Sequence, residues 1–318
     1  MAAYFDCGFS VREPAWHGLA VVLDDYPTSW EEARILAGLD WEPELVGLLD
    51  EEAMTTVEGF KLIRRDDNHA PLAVRSDEFA LVTHADMGVI MDAIMGDSAV
   101  KFETAGVLRG GRSVWALARI DEPYVIPGDD SAMYPFVAII NHHDGTGACR
   151  LTNSQVRIVC WNTVQANVAD AENTGRQFVF RHAGDVLGRI EEAKAALAGA
   201  RREATEYAEM ATELTKLNVT DTTVKKFLSE WMPTPPDGLV SDRVMENHER
   251  DLSLFRSILF GPTVIPHEHT AYGLLLAATE YADHVRGFQN RDTYLTRTML
   301  RPEPLKHKAM NIIRRVVK

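Results

Sequence analysis

Arginine and tryptophan side chains in the middle of the chain have the types and spacing that suit nucleic-acid binding. In the run VRIVCWN, alternation places Val156, Ile158 and Cys160 on one face of a strand and Arg157 with Trp161 on the other. Cations beside exposed aromatic rings on a sheet hold the phosphates and stacked bases of single strands. The residues that we expect to form this surface are Arg150, Arg157, Trp161, Arg109, Arg112, Lys101, Trp115, Arg64 and Arg65, extended by Lys61 and Arg119 on neighbouring strands.

A purely structural role is the alternative for these residues, and spacing alone favours it. Residues 99–182 contain eight basic and eight acidic residues, so each cation has an acid with which to pair. Trp115 and Trp161 are large side chains of the kind that fill a core. The proposed surface therefore needs support beyond the spacing.

The segment Gly106–Ser113 has the pattern of a phosphate-binding loop, except that Arg112 stands where such loops have lysine. A phosphate-binding loop runs from a strand into a helix, whose first amides bind the phosphates. The residues that follow, SVWALARI, have the pattern of a strand. We therefore expect a hairpin whose tip carries Arg109 and Arg112.

Two clusters have residue types that could bind a metal ion. They are His142-His143-Asp144 and His267-Glu268-His269, and neither has the longer spacing typical of zinc sites. Cys160 lies in an apolar run and fits a core position better than a nucleophile. No arrangement of acid, base and nucleophile stands out. An enzyme is therefore the less favoured class, and we expect no catalytic residues, no metal and no cofactor.

The elements that must position these residues form two different halves. Strands are predicted over 55–65, 70–76, 99–120 (two strands joined through Arg109-Gly110-Gly111), 134–141 and 146–152, and helices over 29–39, 84–96 and 161–173. Further helices are predicted over 224–232, 241–262, 272–288 and 305–317. This order predicts an α+β fold, in which an antiparallel sheet with hairpins packs on helices in the first half and the second half is all-α.

A long helix is predicted from Asp185 onward by a heptad stripe of apolar residues. The stripe consists of Val186, Ile190, Ala193, Leu197, Ala200, Ala204, Tyr207, Ala211 and Leu214. Its alanines would allow a second helix to approach closely. The stripe therefore needs a partner, which could be another subunit.

Charge is distributed unevenly along the chain, which has a net charge of −14. Residues 1–60 contain 2 basic and 13 acidic residues, whereas residues 286–318 contain 9 basic and 2 acidic residues. The predicted organisation is an acidic N-terminal segment (1–60), an α+β core (55–182), a long and a short helix (183–232) and a helical region with a basic tail (239–318). A net acidic chain is unusual for a nucleic-acid-binding protein. Residues 99–182, however, contain equal numbers of basic and acidic residues, so the net charge does not exclude a nucleic-acid partner.

The compartment is expected to be the cytoplasm. No run reaches the roughly 18 apolar residues of a membrane helix, and the first residues lack the features of a signal peptide. Three cysteines without a CxxC pair do not suggest a disulfide framework.

Three motifs carry a resemblance to a known family. They are Trp16-His17-Gly18-Leu19, ETAGVLRGGRSVWALA (103–118) and NHHDGTGACRLTNSQVRIVCWNT (141–163). With the following helix, they resemble a phage- and plasmid-encoded family known as domain of unknown function 932. The resemblance implies a bacteriophage or prophage origin and covers most of the chain, but it supplies no activity.

The order of sheet and helices in that family is remotely similar to the single-strand annealing recombinases, the group of Rad52, Red beta and RecT. This similarity implies a ring or filament that binds single-stranded DNA without ATP or a catalytic metal, with a phage exonuclease or a host single-strand-binding protein as further partners. Likeness of fold does not by itself establish function.

Two hypotheses of different classes follow. The first is a phage-encoded, ATP-independent protein that binds and anneals single-stranded DNA. The second is a phage protein-interaction factor, for virion assembly or against host defence, which acts through its acidic N-terminal surface.

Overall fold

The computed structural model describes residues 5–12, 20–129, 131–157, 162–164, 177–180, 186–236, 241–286 and 304–317. The strands are β1 (Phe5–Val11), β2 (Val21–Leu23), β3 (Pro43–Asp50), β4 (Thr55–Arg65), β5 (Pro71–Ser76), β6 (Val100–Leu108), β7 (Ser113–Ile120), β8 (Met133–His142), β9 (Cys149–Arg157), β10 (Asn162–Val164) and β11 (Gln177–Phe180). The helices are α1 (Trp30–Leu36), α2 (His84–Met95), α3 (Val186–Thr215), α4 (Asp221–Trp231), α5 (Asp242–Leu259), α6 (Ala271–Glu280) and α7 (Pro304–Val316). The fold is α+β, as the sequence predicts, with antiparallel hairpins first and helices second.

The main sheet is built around an antiparallel meander of four strands. Its order is β10-β9-β8-β7-β6-β1-β2, and β11 also pairs with β9. The turn between β6 and β7 needs left-handed backbone, because φ is 61° at Arg109, 69° at Gly110 and 93° at Gly111. A strand follows this turn, so the structure has the hairpin that the sequence favours and not a phosphate-binding loop.

A second, three-stranded sheet has the order β3-β4-β5 and is antiparallel throughout. Ile63 of β4 is fully buried and belongs to the same core as the main sheet. Leu62, its neighbour in sequence, points to the other face. The small sheet therefore packs through one face only.

The helices bury one face of the main sheet and then form a second core. The first core contains Val114 and Val137 from the sheet, Ile90 from α2 and Ala200 from the first half of α3. The second core brings Tyr207 and Ala211 of the same helix together with α4, α5, α6 and α7. From Ala193 to Leu214 the heptad stripe of α3 is thus buried within the chain, so this part of it needs no second subunit as cover.

One expectation from the sequence needs correction. The stretch predicted as a helix over 161–173 contains strand β10, and the rest of it lies outside the described residues. The predicted division of the chain stays a prediction. Its α+β core is predicted from residue 55, where β4 begins, and residues of the acidic N-terminal segment contact that core, because β1 pairs with β6 and α1 packs on α2.

The strand that carries Arg150 and Arg157 is also longer than expected. It runs without interruption from Cys149 to Arg157, and its pairing with β8 has no register shift. Positions 150 and 157 are seven positions apart, which is an odd offset, so alternation assigns them to opposite faces of the sheet. The two positions therefore do not extend one common surface.

None of the helices in the described part of the chain has the length and apolar character needed to span a bilayer.

Replacing Ala200 by leucine should destabilise the protein by about 1–3 kcal/mol, because Ala200 is fully buried where α3 lies on the sheet. Ala198, on the exposed side of the same helix, is the matched control, and Ala198→Leu should change stability by less than about 0.5 kcal/mol. Urea unfolding monitored by circular dichroism measures both. Equal effects of the two substitutions would contradict this packing of the stripe.

Candidate functional site

Most of the cations expected on the nucleic-acid surface are engaged in ion pairs. Lys101 lies 2.5 Å from Asp121, Arg64 lies 2.7 Å from Glu44, and Arg65 lies 2.7 Å from Asp67. Arg109 Nη1 is 3.8 Å from Asp144 Oδ2, a longer and weaker contact. The structural alternative raised by the sequence therefore explains much of this set.

The remaining members of the set are dispersed. Trp115 is 1 % exposed and packs with Leu117 and Phe136 in a third buried cluster, so it does not present a ring for stacking. This corrects the expectation of an exposed Trp115, because the second face of the meander is also buried at this point. Arg112 is exposed at the tip of the hairpin, and Arg150 is half-buried. The Arg157 side chain and Trp161 lie outside the described residues.

A cluster of cations and aromatic rings does form, but around Tyr26. The side chains of Arg12, Lys101 and Arg119 approach the Tyr26 ring at 5.1, 5.4 and 5.2 Å from its centroid. Arg119 also lies 4.7 Å from the centroid of Tyr134. We call these five residues the Tyr26 cluster. Lys101 and Arg119, which the sequence analysis placed on the surface, are part of it.

The positions of these residues follow from the pairing of the strands. Lys101 of β6 is directly opposite Arg119 of β7, and Arg119 is directly opposite Phe136 of β8. Cross-strand partners point to the same face of a sheet, and Tyr134 lies on that face two residues before Phe136. Tyr26 and Arg12 come from the loop and strand at the N-terminus, so the cluster needs residues far apart in sequence.

Glu103 is the acidic group buried in this cluster. Its residue is 4 % exposed, and its Oε2 lies 3.5 Å from Arg119 Nη1. Burial raises the pKa of Glu103 to about 7, although Arg119 and a hydrogen bond from Tyr26 lower it. Glu103 Oε2 and Arg119 Nε are buried atoms without a hydrogen-bond partner among the described residues.

The charges of the cluster leave it net positive. Arg12, Lys101 and Arg119 contribute three positive charges, and Asp121 and Glu103 contribute at most two negative charges. Near pH 7 Glu103 changes protonation, so the net charge varies between about +1 and +2. The cluster therefore suits an anion with an apolar or aromatic part, such as a nucleotide unit.

A second cluster of polar groups is the buried pair His84 and His143. Their Nε2 atoms are 3.0 Å apart, and both residues are almost fully buried. His84 begins α2, whereas His143 lies in the β8–β9 turn. The Trp41 ring packs edge-on against both imidazoles, and Arg65 stacks 4.2 Å above that ring.

The hydrogen bonds around this pair determine where its protons lie. The amide of Asn141 donates to Val82 O at 2.8 Å and to His143 Nδ1 at 3.3 Å. His143 is therefore protonated on Nε2, which donates to His84 Nε2. His84 carries its proton on Nδ1, which donates to Trp41 O at 2.6 Å. Each group in this chain is satisfied while both imidazoles are neutral.

This arrangement does not suit a metal ion. Both Nε2 atoms are used in the hydrogen bond between the two rings, and His142 faces Ser113 instead, with its Nδ1 2.9 Å from Ser113 Oγ. In the second sequence cluster His267 is buried against Tyr272, whereas His269 is exposed and pairs with Glu268. In the described part of the chain no three His, Cys, Asp or Glu residues are grouped to hold a metal.

Next to His143 lies a cavity of about 110 Å³. Its walls include Phe79 and Leu81 on one side and Asn141 and Cys149 on the other. His143 therefore contacts both this cavity and the Trp41 ring, and its hydrogen bond to His84 links the β8–β9 turn to the start of α2.

Sequence reasoning missed several residues of both clusters. Tyr26, Arg12 and Glu103 are not in the strand patterns that suggested the basic surface, and their proximity depends on the pairing of β1 with β6. A signal existed for Glu103, because a carboxylate within the apolar strand β6 has to be partnered. His84 had no such signal, since its position at a helix start is equally typical of an exposed residue.

Comparison with known proteins gives one positive result. The model of the family described as "Domain of unknown function (DUF932)" matches residues 71–305, which is most of the chain. No curated protein and no solved structure matches.

The buried histidine pair should make the protein less stable in acid. Burial lowers the pKa of His84 from 6.5 to about 4 and also lowers the pKa of His143. The unfolded chain therefore binds more protons below pH 6.5, and the stability contributed by the pair is complete above that pH and is lost as the pH falls toward 4. At about pH 5 the titration of His84 alone should lower the free energy of unfolding by about 2 kcal/mol.

This loss is measured as the difference in unfolding free energy between pH 8 and pH 5. The double variant His84→Gln/His143→Gln cannot titrate at these positions and should lose at least about 2 kcal/mol less than the natural protein, because both histidines contribute to the loss. Glu103 titrates in the same range with the opposite sign, but it is present in both proteins and cancels. His69→Gln, in an exposed turn, is the control and should behave as the natural protein. Equal losses in all three would refute the buried neutral pair.

Proposed function

The chain belongs to the DUF932 family, and for this member we propose the function of a phage-encoded, cytoplasmic protein that binds single-stranded DNA and anneals complementary strands without ATP. The observation that carries the proposal is the Tyr26 cluster. Three cations and two tyrosine rings meet there, at one end of the central strands β6, β7 and β8. This combination suits a ligand with alternating phosphates and flat bases.

The chemistry of annealing requires little from the protein. It has to neutralise the phosphates of one strand, keep the bases accessible and release the duplex. In our proposal Arg12 and Lys101 contact phosphates, and Tyr134 or Tyr26 stacks on a base. Arg119 positions the rings and remains paired with Glu103. None of these roles needs a nucleophile, a metal ion or a nucleotide cofactor.

The architecture supports the proposal at a coarser level. A four-stranded antiparallel meander leads into a helix of 30 residues, which is the order of elements that suggested the annealing recombinases. Any ring or filament would need an interface other than the Ala193–Leu214 part of the α3 stripe, because that part is buried within the chain. The acidic residues of the N-terminal part would have to face away from the DNA.

DNA binding should depend on Arg12 and Lys101. With a fluorescent oligothymidylate, Arg12→Gln and Lys101→Gln should each weaken binding about tenfold, because each removes a charged contact to a phosphate. The slope of log affinity against log salt should also decrease by about 0.7 per variant. Fluorescence anisotropy titrations at several salt concentrations measure both quantities.

The matched controls are Lys194→Gln on α3 and Lys216→Gln directly after α3, two exposed positions that carry the same change of charge. They should leave affinity and slope unchanged. Arg119 is unsuitable for this test, since its removal would leave Glu103 buried without its partner. An absence of binding at low salt would refute the proposed function, and equal losses in all four variants would refute the site.

Glu103 should make the binding dependent on pH. Below about pH 7 Glu103 is protonated and neutral, so the cluster is more positive and should bind DNA more tightly; above pH 7 its charge should weaken binding. Glu103→Gln mimics the neutral form and should bind several-fold more tightly than the natural protein above pH 7, with a flatter pH profile. Glu58→Gln, at an exposed position, should keep the natural profile. Parallel profiles for Glu103→Gln and the natural protein would contradict this role.

A further inference from the structure

In the described part of the chain, the small sheet has an apolar face with two exposed and two half-buried side chains. Val46 of β3, Leu62 of β4 and Val74 of β5 are direct cross-strand partners, so they point to the same face. Phe60 lies two residues before Leu62 on that face. Phe60 is 51 % exposed and Val74 is 48 % exposed, whereas Ile63 on the opposite face is fully buried. We call these four residues the outer face.

The hairpin beyond this face is also exposed. The strands β3 and β4 continue past the end of β5, and the turn between them carries Met54, which is 73 % exposed. Leu49 and Val57 near the turn are exposed as well. Single exposed apolar residues are ordinary, but an aligned set of them on one sheet face is typical of a contact surface.

The surroundings of the outer face are acidic. Residues 40–60 contain seven carboxylates and no lysine or arginine. Four of these, Asp50, Glu51, Glu52 and Glu58, lie in or beside the hairpin turn and are exposed. The Arg64 side chain at the other end of the face is paired with Glu44 at 2.7 Å. The hairpin therefore presents apolar side chains within a negative field.

We propose that the outer face and its hairpin form a docking site for a basic protein segment that carries apolar side chains. The apolar side chains of the partner would cover Phe60 and Val74, and its lysine or arginine residues would meet the carboxylates of the turn. Complementary charge determines the class of the partner, because the same field repels DNA and acidic surfaces. This site is separate from the Tyr26 cluster and goes beyond DNA binding.

Protection against aggregation would be a simpler explanation for the acidic residues of the hairpin. It does not explain the exposed apolar residues. Exposed sheet edges are often protected from aggregation by charged residues and by bulges, and the β3–β4 pairing has a register shift after Gly47. Charged residues on the outer face itself would give the same protection. The retained Phe60 and Val74 instead leave an apolar surface in water, which a partner would bury.

Three labelled peptides of equal length test this inference. In the first peptide lysine alternates with valine, in the second lysine alternates with serine, and in the third glutamate alternates with valine. We expect binding only of the lysine–valine peptide, and binding should weaken as salt rises. Phe60→Ser should reduce the affinity about tenfold, and Val74→Thr should also reduce it, because each removes apolar contact area. Fluorescence anisotropy measures the affinities, and thermal unfolding confirms that the variants remain folded.

The controls match each change at a distant position. Phe260 is 54 % exposed at the end of α5, so Phe260→Ser removes a similar exposed ring and should leave binding unchanged. Glu51→Gln/Glu52→Gln should weaken binding of the lysine–valine peptide, whereas Glu246→Gln/Glu249→Gln on α5 should not.

Two results would overturn the proposal. Equal binding of the lysine–valine and lysine–serine peptides, unaffected by Phe60→Ser, would mean charge attraction only. A dimer in light scattering that Phe60→Ser converts to a monomer would show that a second copy of this chain occupies the face. Neither result depends on whether the Tyr26 cluster binds DNA.

Discussion

One buried hydrogen bond between two neutral imidazoles holds together the parts of the chain that meet at the turn end of the sheet. It joins the start of α2 through His84 to the β8–β9 turn through His143, and its continuation reaches the backbone of Trp41 just before β3. Because every polar atom along this chain of bonds is satisfied only in one tautomer, the loops have one stable arrangement. The Trp41 ring above it contacts Gly111 so closely that a side chain at that position would clash, which fixes the β6–β7 turn as well.

In the Tyr26 cluster, the unfavourable burial of the Glu103 carboxylate is offset by its attraction to Arg119. A carboxylate that is 4 % exposed would be unfavourable without Arg119, and Arg119 is itself held between two tyrosine rings. The pair therefore links the central strands β6 and β7, while Arg12 and Lys101 remain closer to solvent. This division explains how a chain with a net charge of −14 can still present a locally positive surface.

Periodicity in the sequence predicted most of the helices and strands, but it did not predict which distant segments lie next to each other. The two hairpins of the meander and the long helix α3 are local patterns, and the structure confirms them. The contacts of Tyr26 and His84 depend on pairings between distant segments, which local spacing does not contain. Trp115 shows the same limit: the sequence placed it in a strand, but only the tertiary structure reveals that the sheet face that carries it is buried.

The helix α3 contributes side chains to both large cores, and this affects how the protein unfolds. Its first half contributes Ala196 and Ala200 to the core under the sheet, and its second half contributes Tyr207 and Ala211 to the helical core. A continuous helix of 30 residues transmits fraying in one half to the other, because an interrupted helix loses hydrogen bonds on both sides of the break. The sheet and the helical region are therefore coupled and should unfold in one cooperative transition, although each has a core of its own.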